Sequence, residues 1–317
     1  MIAALAGGVG GAKLAQGLAS AFPGEALSVV VNTADDFELF GLRICPDLDT
    51  VMYTLAGLAN PATGWGIKDD TRSTLDAIGR YGRNLWFQLG DSDFATHILR
   101  SERLRQGVSL TDATAELADA LGVRARLLPM TDDTVATMVD TSAGLLDFQE
   151  YFVARRQADV VDGIVFRGAE TAAASAEALA ALASARITIL CPSNPLVSIG
   201  PILAVRGYRE ALTARRAPAV ALSPIAGGRA LKGPAADMLR SLGHEVSAFG
   251  VAAIYAGLID GIVIDEQDEA LTARIEGLGM AVHVARTVMG GEDDRRRLAA
   301  EMVAFGERLA VPAGTLR

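Results

Sequence analysis

Gly7-Gly8-Val9-Gly10-Gly11-Ala12-Lys13 sets four glycines and a lysine directly behind the apolar run Ile2-Ala3-Ala4-Leu5-Ala6. Glycines between a strand and a helix let the backbone approach a phosphate, whose charge is met by free N–H groups and the helix N-terminus. Lys13 is one of only three lysines, with Lys68 and Lys232, and adds a cation to the turn. The run neither closes with the GK[ST] of a Walker A loop nor forms a clean GxGxxG. By itself it suits phosphate binding and a merely tight strand–helix turn about equally.

A crowd of carboxylates and hydroxyls follows the next apolar run, Leu27–Val31: Asn32, Thr33, Asp35 and Asp36, then Pro46-Asp47-Leu48-Asp49-Thr50. Carboxylates beside a phosphate loop are how proteins hold Mg²⁺. Asp47 would serve equally as a helix N-cap. So many acids on a short stretch repel one another unless something positive lies between them.

Leu89-Gly90-Asp91-Ser92-Asp93 precedes Ala95-Thr96-His97. Asp91 or Asp93 would cap the next helix, leaving His97 a turn further in and facing back to the loop. His97 could donate to a phosphate, although a lone histidine is more often structural. His244 and His283 have no companions, so a histidine-based zinc site is not expected. Cys191-Pro192-Ser193-Asn194-Pro195 offers short polar groups behind another apolar run, suited to a base, a ribose, a phosphate or a plain proline-rich turn. Ser223-Pro224-Ile225-Ala226-Gly227-Gly228 repeats the theme with Lys232 close behind, and Arg155-Arg156 reads as an anion clamp or a solvated basic pair. No GxSxG elbow is present, which argues against an ordinary hydrolase.

These groups need strands and helices to hold them. Strand, glycine turn, helix and strand within the first thirty-one residues make a βαβ unit. Ile187–Leu190, Ala219–Leu222, Gly261–Ile264 and Ala281–Val284 read as further buried strands alternating with helices. We therefore expect an α/β fold: a Rossmann-like, doubly wound, mostly parallel sheet with an inserted helical and small β subregion. The 317 residues read as a single domain, with a core of 1–68 and 186–317 and an insertion or cap at about 69–185. Inside that insertion, Leu85–Leu89 is a strand candidate, and Arg124–Leu127 and Val135–Val139 alternate like strands.

Composition narrows the class. The charged residues sum to 29 − 38 = −9, which disfavours a sequence-blind grip on nucleic acid. The apolar runs are too short to span a bilayer, no basic–apolar–small leader opens the chain, and two unpaired cysteines form no disulfide framework. We expect a cytoplasmic protein and, from its apolar composition, a homodimer.

The glycine turn, Asn32–Asp36, Pro46–Thr50, Leu89–His97, Leu128-Pro129-Met130-Thr131-Asp132-Asp133, Pro192–Pro195 and Ser198-Ile199-Gly200-Pro201-Ile202 together resemble the 2-phospho-L-lactate transferase (CofD/FbiA) family. The resemblance runs in order over nearly the whole chain. It implies a Mg²⁺-dependent transferase of coenzyme F-420 biosynthesis. The donor would be a guanosine diphosphate ester of a three-carbon acid (2-phospholactate, phosphoenolpyruvate or phosphoglycerate as the group moved). The acceptor would be the deazaflavin Fo, whose terminal ribityl hydroxyl displaces GMP. Carried over, Gly8, Val9, Gly10, Gly11 and Lys13 would cradle phosphates, and Ser193 and Asn194 would contact the nucleotide. Asp36 and Asp47 would help hold the metal. Asp49 would be catalytic, meeting the acceptor hydroxyl, and Gln88, Asp91 and His97 would join it in binding the acceptor. Gln88 stands where the family often has a basic residue. On this reading Asp49→Asn abolishes transfer and leaves the fold intact. A related group that shares the glycine-rich start binds nucleotide-sugars as a regulator and is the alternative.

Overall fold

In the computed structural model, which describes residues 1–231 and 233–310, every residue of Ile2–Ala6 is buried. Lys232 lies outside the described residues. An uncharged five-residue run covered on both faces is what a central parallel strand requires. It is β1, and six more strands join it: β2 (Leu27–Val31), β3 (Arg126–Pro129), β4 (Ile187–Leu190), β5 (Ala219–Leu222), β6 (Gly261–Asp265) and β7 (Ala281–Ala285). All pair in parallel, in the order β7-β6-β5-β4-β1-β2-β3. Alternate side chains serve opposite faces: Ala3, Leu5, Val30 and Leu190 pack into one core layer, Ile2, Ala4, Val29 and Ile189 into the other. This is the expected Rossmann-like arrangement.

The strand order reverses at β1, with β2 and β3 on one side and β4 to β7 on the other. That switch point opens a crevice at the carboxyl ends of β1 and β4, where open α/β sheets bind ligands. The helix α1 (Gly8–Ala21) starts almost directly from β1, and α2 (Pro46–Leu55) opens with proline, whose fixed φ suits a first helical turn. The long helix Glu292–Ala310 packs on α1 so closely that a Cβ on Gly17 would collide with the Arg295 carbonyl.

The middle of the chain departs from expectation in two places. Leu85–Leu89 pairs with nothing; Leu85, Phe87 and Leu89 instead fill a small cluster with Ile44, Leu75 and Phe94. Their apolarity comes from packing beneath a loop, not from a ladder. Arg126–Pro129 belongs to the main sheet, in register with β2 from Ser28↔Arg126 to Val31↔Pro129, so the core takes a strand from inside the span read as an insertion. The rest of that span is helical, with α3 (Ser73–Arg80), α4 (Asp91–Arg105) and Leu110–Ala120, followed by an antiparallel sheet of Ala136–Thr141 flanked by Gly144–Asp147 and Val161–Arg167. No helix among the described residues is long and apolar enough to cross a membrane.

Candidate active site at the switch point

Ser193, just beyond β4, ties the two halves of the crevice together. Its hydroxyl accepts from the Gly7 amide at 2.9 Å and donates to the Gly7 carbonyl at 2.8 Å. The turn is glycine because nothing larger fits. A Cβ on Gly7 would stand 2.6 Å from an Asp47 carboxylate oxygen, and one on Gly11 would stand 2.7 Å from Ser193 Oγ. Gly10 lies against the Pro192 carbonyl, and Gly8 adopts a φ of 61°, a conformation glycine takes without strain. Lys13 Nζ reaches the Met289 carbonyl at 3.4 Å.

Two carboxylates share one amide beside this turn. Asn32 Nδ2 donates to Asp47 Oδ2 at 3.0 Å and to Asp35 Oδ2 at 3.1 Å. Burial pushes Asp47 up to about 6; burial, followed by the neighbouring Asp47 charge, pushes Asp35 well above the carboxylate range. Asp35 Oδ1 is buried and makes no aligned hydrogen bond. Two hard carboxylate donors beside a phosphate-type turn, one with a buried unpaired oxygen, suit a divalent ion such as Mg²⁺. Asp36 is placed otherwise: it pairs with Arg43 at 3.2 Å, and burial, outweighing that guanidinium, lifts it to about 7. The structure thus pairs Asp47 with Asp35 rather than with Asp36.

A second buried group spans α2 and α4. Arg100 grips both oxygens of Asp49, with Nη1 3.1 Å from Oδ2 and Nη2 on Oδ1. His97 Nδ1 lies 3.6 Å from Asp49 Oδ2, and Tyr53 donates to Asp93 Oδ1 at 2.7 Å. Asp49 is 4% exposed, and His97 and Arg100 are 1% exposed.

Both groups border one cavity of about 680 Å³ whose walls also include the stacked rings of Phe148 and Phe152 and the side chains of Trp65 and Phe87. It combines amides and a lysine for phosphate, carboxylates for a cation, a fixed carboxylate for a hydroxyl and aromatic faces for a planar ring. A family model described as 2-phospho-L-lactate transferase CofD matches residues 2–297. The chain belongs to that family.

The phosphoenolpyruvate transferase of Kitasatospora aureofaciens is 42% identical over 315 residues, which cover 97% of this chain and 98% of that protein. The 2-phospho-L-lactate transferase of Methanosarcina barkeri is 39% identical over 306 residues, with 96% and 98% covered. A crystal structure of a Bacillus halodurans protein superposes with a TM-score of 0.64 at 16% identity, covering 95% and 98% of the two chains, which shows the fold alone. CofD-family membership makes the chain a transferase of coenzyme F-420 biosynthesis.

In this CofD-family chain the cavity is bordered by Gly8, Val9, Gly10, Lys13, Asp47 and Asp49, and equally by Gln88, His97, Ser193 and Asn194. Gly11, Asp36 and Asp91 are not on its wall. Gly11 is a packing glycine beneath Ser193. Asp91 accepts from the Ser73 and Thr74 amides at 3.0 and 2.8 Å and from the Thr71 hydroxyl; that hydroxyl, first among these bonds, holds its carboxyl below the usual range. It therefore caps α3, while Asp70 caps α4 through the Ser92 and Asp93 amides. Gln88 donates to the Leu85 carbonyl at 3.1 Å and leaves Oε1 buried without a partner. Asn194 Oδ1 accepts the Leu196 amide, shaping its own turn. Arg155 pairs with Asp159 at the surface.

Tyr53, Arg100 and the Phe148–Phe152 pair are site residues the sequence reading did not name; it placed Asp35 only among the carboxylates after β2 and Asp93 only as a helix cap. Asp93, His97 and Arg100 stand at i, i+4 and i+7, as do Asp49 and Tyr53 at i, i+4, so helical spacing could have placed each set on one face.

Proposed function

We propose that the chain moves a phospho-three-carbon-acid group (2-phospholactate, phosphoenolpyruvate or phosphoglycerate) from its guanosine diphosphate ester to the terminal ribityl hydroxyl of Fo. The hydroxyl oxygen bonds to the distal phosphorus, the bond from that phosphorus to the bridging oxygen breaks, and GMP leaves. Such a transfer needs positioning and charge neutralisation more than a covalent nucleophile. The Gly8–Gly10 amides and Lys13 would take the diphosphate. Ser193 would keep the glycine turn in place, and Asn194 would face the nucleotide. Asp35 and Asp47 would hold Mg²⁺, which when bound neutralises the diphosphate charge. Asp49, fixed by Arg100, would orient the acceptor hydroxyl and receive its proton. Gln88 Oε1 and the aromatic wall would hold the acceptor. Buried free Cys45 and Cys191 accord with a cytoplasmic enzyme.

One observation carries this reading: the glycine turn, Asp35 with Asp47, and Asp49, which Arg100 grips from behind, all meet a single cavity at the switch point of a CofD-family chain. Mixing the enzyme with Fo, Mg²⁺ and each guanylylated acid, and weighing the deazaflavin product by mass spectrometry, tests it. A mass increase by one phospho-acid, abolished by EDTA and restored by Mg²⁺, is expected. An unchanged Fo mass with every donor overturns the transfer, and full turnover in EDTA overturns the metal.

A further inference from the structure

Asp49, Asp93 and His97 can each bring one ligand atom within 4.8 Å of the others, the spacing of a metal site. The placement of hydrogens gives the cluster a different use. Arg100 Nη1 lies 3.3 Å from His97 Nδ1. A guanidinium has only N–H donors and keeps its protons at any pH a protein survives, so Nδ1 must face it with a lone pair. Asp49 Oδ2, the other neighbour of Nδ1, is 3.6 Å from it and has Arg100 as its nearer partner at 3.1 Å. The ring proton is left to Nε2. That nitrogen is buried, stands 3.3 Å from Asp93 Oδ1 without alignment for a hydrogen bond, and belongs to a side chain on the cavity wall. Asp93 Oδ1 already accepts the Tyr53 hydroxyl.

We propose that His97 is a catalytic hydrogen-bond donor: a neutral imidazole held in the Nε2–H tautomer by Arg100, giving that proton as a hydrogen bond to a non-bridging oxygen of the phosphoryl group in transfer. This rests on the transferase reading above. A nitrogen that carries hydrogen neither ligates a cation nor takes a proton from the acceptor, so the base duty stays with Asp49. Arg100 is a positioning residue that sets the tautomer, and Tyr53 one that holds Asp93 beside it. A preset donor aimed at developing charge needs no reorganisation during the reaction.

Two measurements test it. The first is long-range ¹H–¹⁵N NMR of the native enzyme labelled on histidine, at pH 8, where an ordinary imidazole is neutral. The His97 signals are identified by their loss in His97→Gln. A protonated Nε2 and a bare Nδ1 are expected; a proton on Nδ1, or on both nitrogens, overturns the proposal. The second compares turnover of His97→Gln and His97→Asn. The glutamine amide nitrogen reaches the position of Nε2, whereas that of asparagine reaches only that of Nδ1. His97→Gln is expected to keep kcat within about tenfold, and His97→Asn to lose roughly 10²–10³-fold, the effect of deleting one donor to transition-state charge. Equal activity of the two variants overturns the donor role. A native enzyme that transfers nothing overturns the transferase reading instead, and the NMR measurement still decides the tautomer.

Discussion

Ser193 and Gly7 exchange two hydrogen bonds across the switch point, at 2.9 and 2.8 Å, so a single hydroxyl joins the loop after β4 to the loop after β1. Ser193 is buried, so water cannot readily replace its hydroxyl. Ser193→Ala would strand the Gly7 amide and carbonyl. We expect about 1–3 kcal/mol of lost stability in urea unfolding, together with weaker GDP binding because the turn is no longer held. Unchanged stability and affinity would show that the bridge is dispensable.

Asp49→Asn is expected to stop transfer, but the structure revises the expectation that the fold is untouched. Arg100 is buried against both Asp49 oxygens. Breaking a buried ion pair from one side costs about 3–5 kcal/mol because the other charge stays behind. The double variant Asp49→Asn with Arg100→Met should therefore regain stability and remain inactive. Normal turnover in Asp49→Asn would remove this carboxylate from the mechanism.

Asp36 and Asp47 set a pH dependence whose sign follows from burial. Both carboxyls are raised from 3.8, to about 7 and about 6. Between those values and 3.8 the folded chain holds protons that the unfolded chain has released, so their contribution to stability falls as pH rises through about 4 to 7. Asp47→Asn should flatten the slope of melting temperature against pH relative to the parent. A divalent cation on Asp35 and Asp47 competes with the protons of those two raised carboxyls, so Mg²⁺ should raise the melting temperature more at pH 7.5 than at pH 5.5. Equal Mg²⁺ shifts at the two pH values would place the ion elsewhere.

Asp91→Ala is expected to act through the fold. Its carboxylate caps α3 by accepting the Ser73 and Thr74 amides, so removing it leaves both donors without that partner and destabilises the helix start. The reciprocal cap by Asp70 requires Gly90, since a Cβ there would collide with the Asp70 carboxylate. Thermal unfolding of Asp91→Ala should show the loss. A raised KM for the acceptor at unchanged stability would return Asp91 to the binding site.

How much of this could be read without coordinates differs by element. The strands of the α/β core announced themselves, because a strand buried on both faces admits few charges, and Ile187–Leu190 and Ala219–Leu222 were found as read. Leu85–Leu89 misled because a loop packed into an aromatic cluster is as apolar as a strand; Phe37 and Phe87 stack edge-on there at 4.9 Å. The alternation around Arg126–Pro129 marks a strand but says nothing of which sheet it joins, and it joins the main one beside β2. Among site residues, Asp35 and Asp36 are adjacent and chemically identical. Only the path of the chain after β2 decides that Asn32 binds one and Arg43 the other. Arg100 shares a helix face with His97, yet nothing in its spacing reveals that the face meets α2.

The arrangement at the switch point is tested most directly by a crystal structure with GDP and Mn²⁺, the ion located by its anomalous signal. The expected result is the diphosphate on the Gly8–Gly10 amides, with the ion on Asp35 and Asp47. A nucleotide bound outside the cavity, or an ion on Asp36 with Asp35 and Asp47 unliganded, would contradict it.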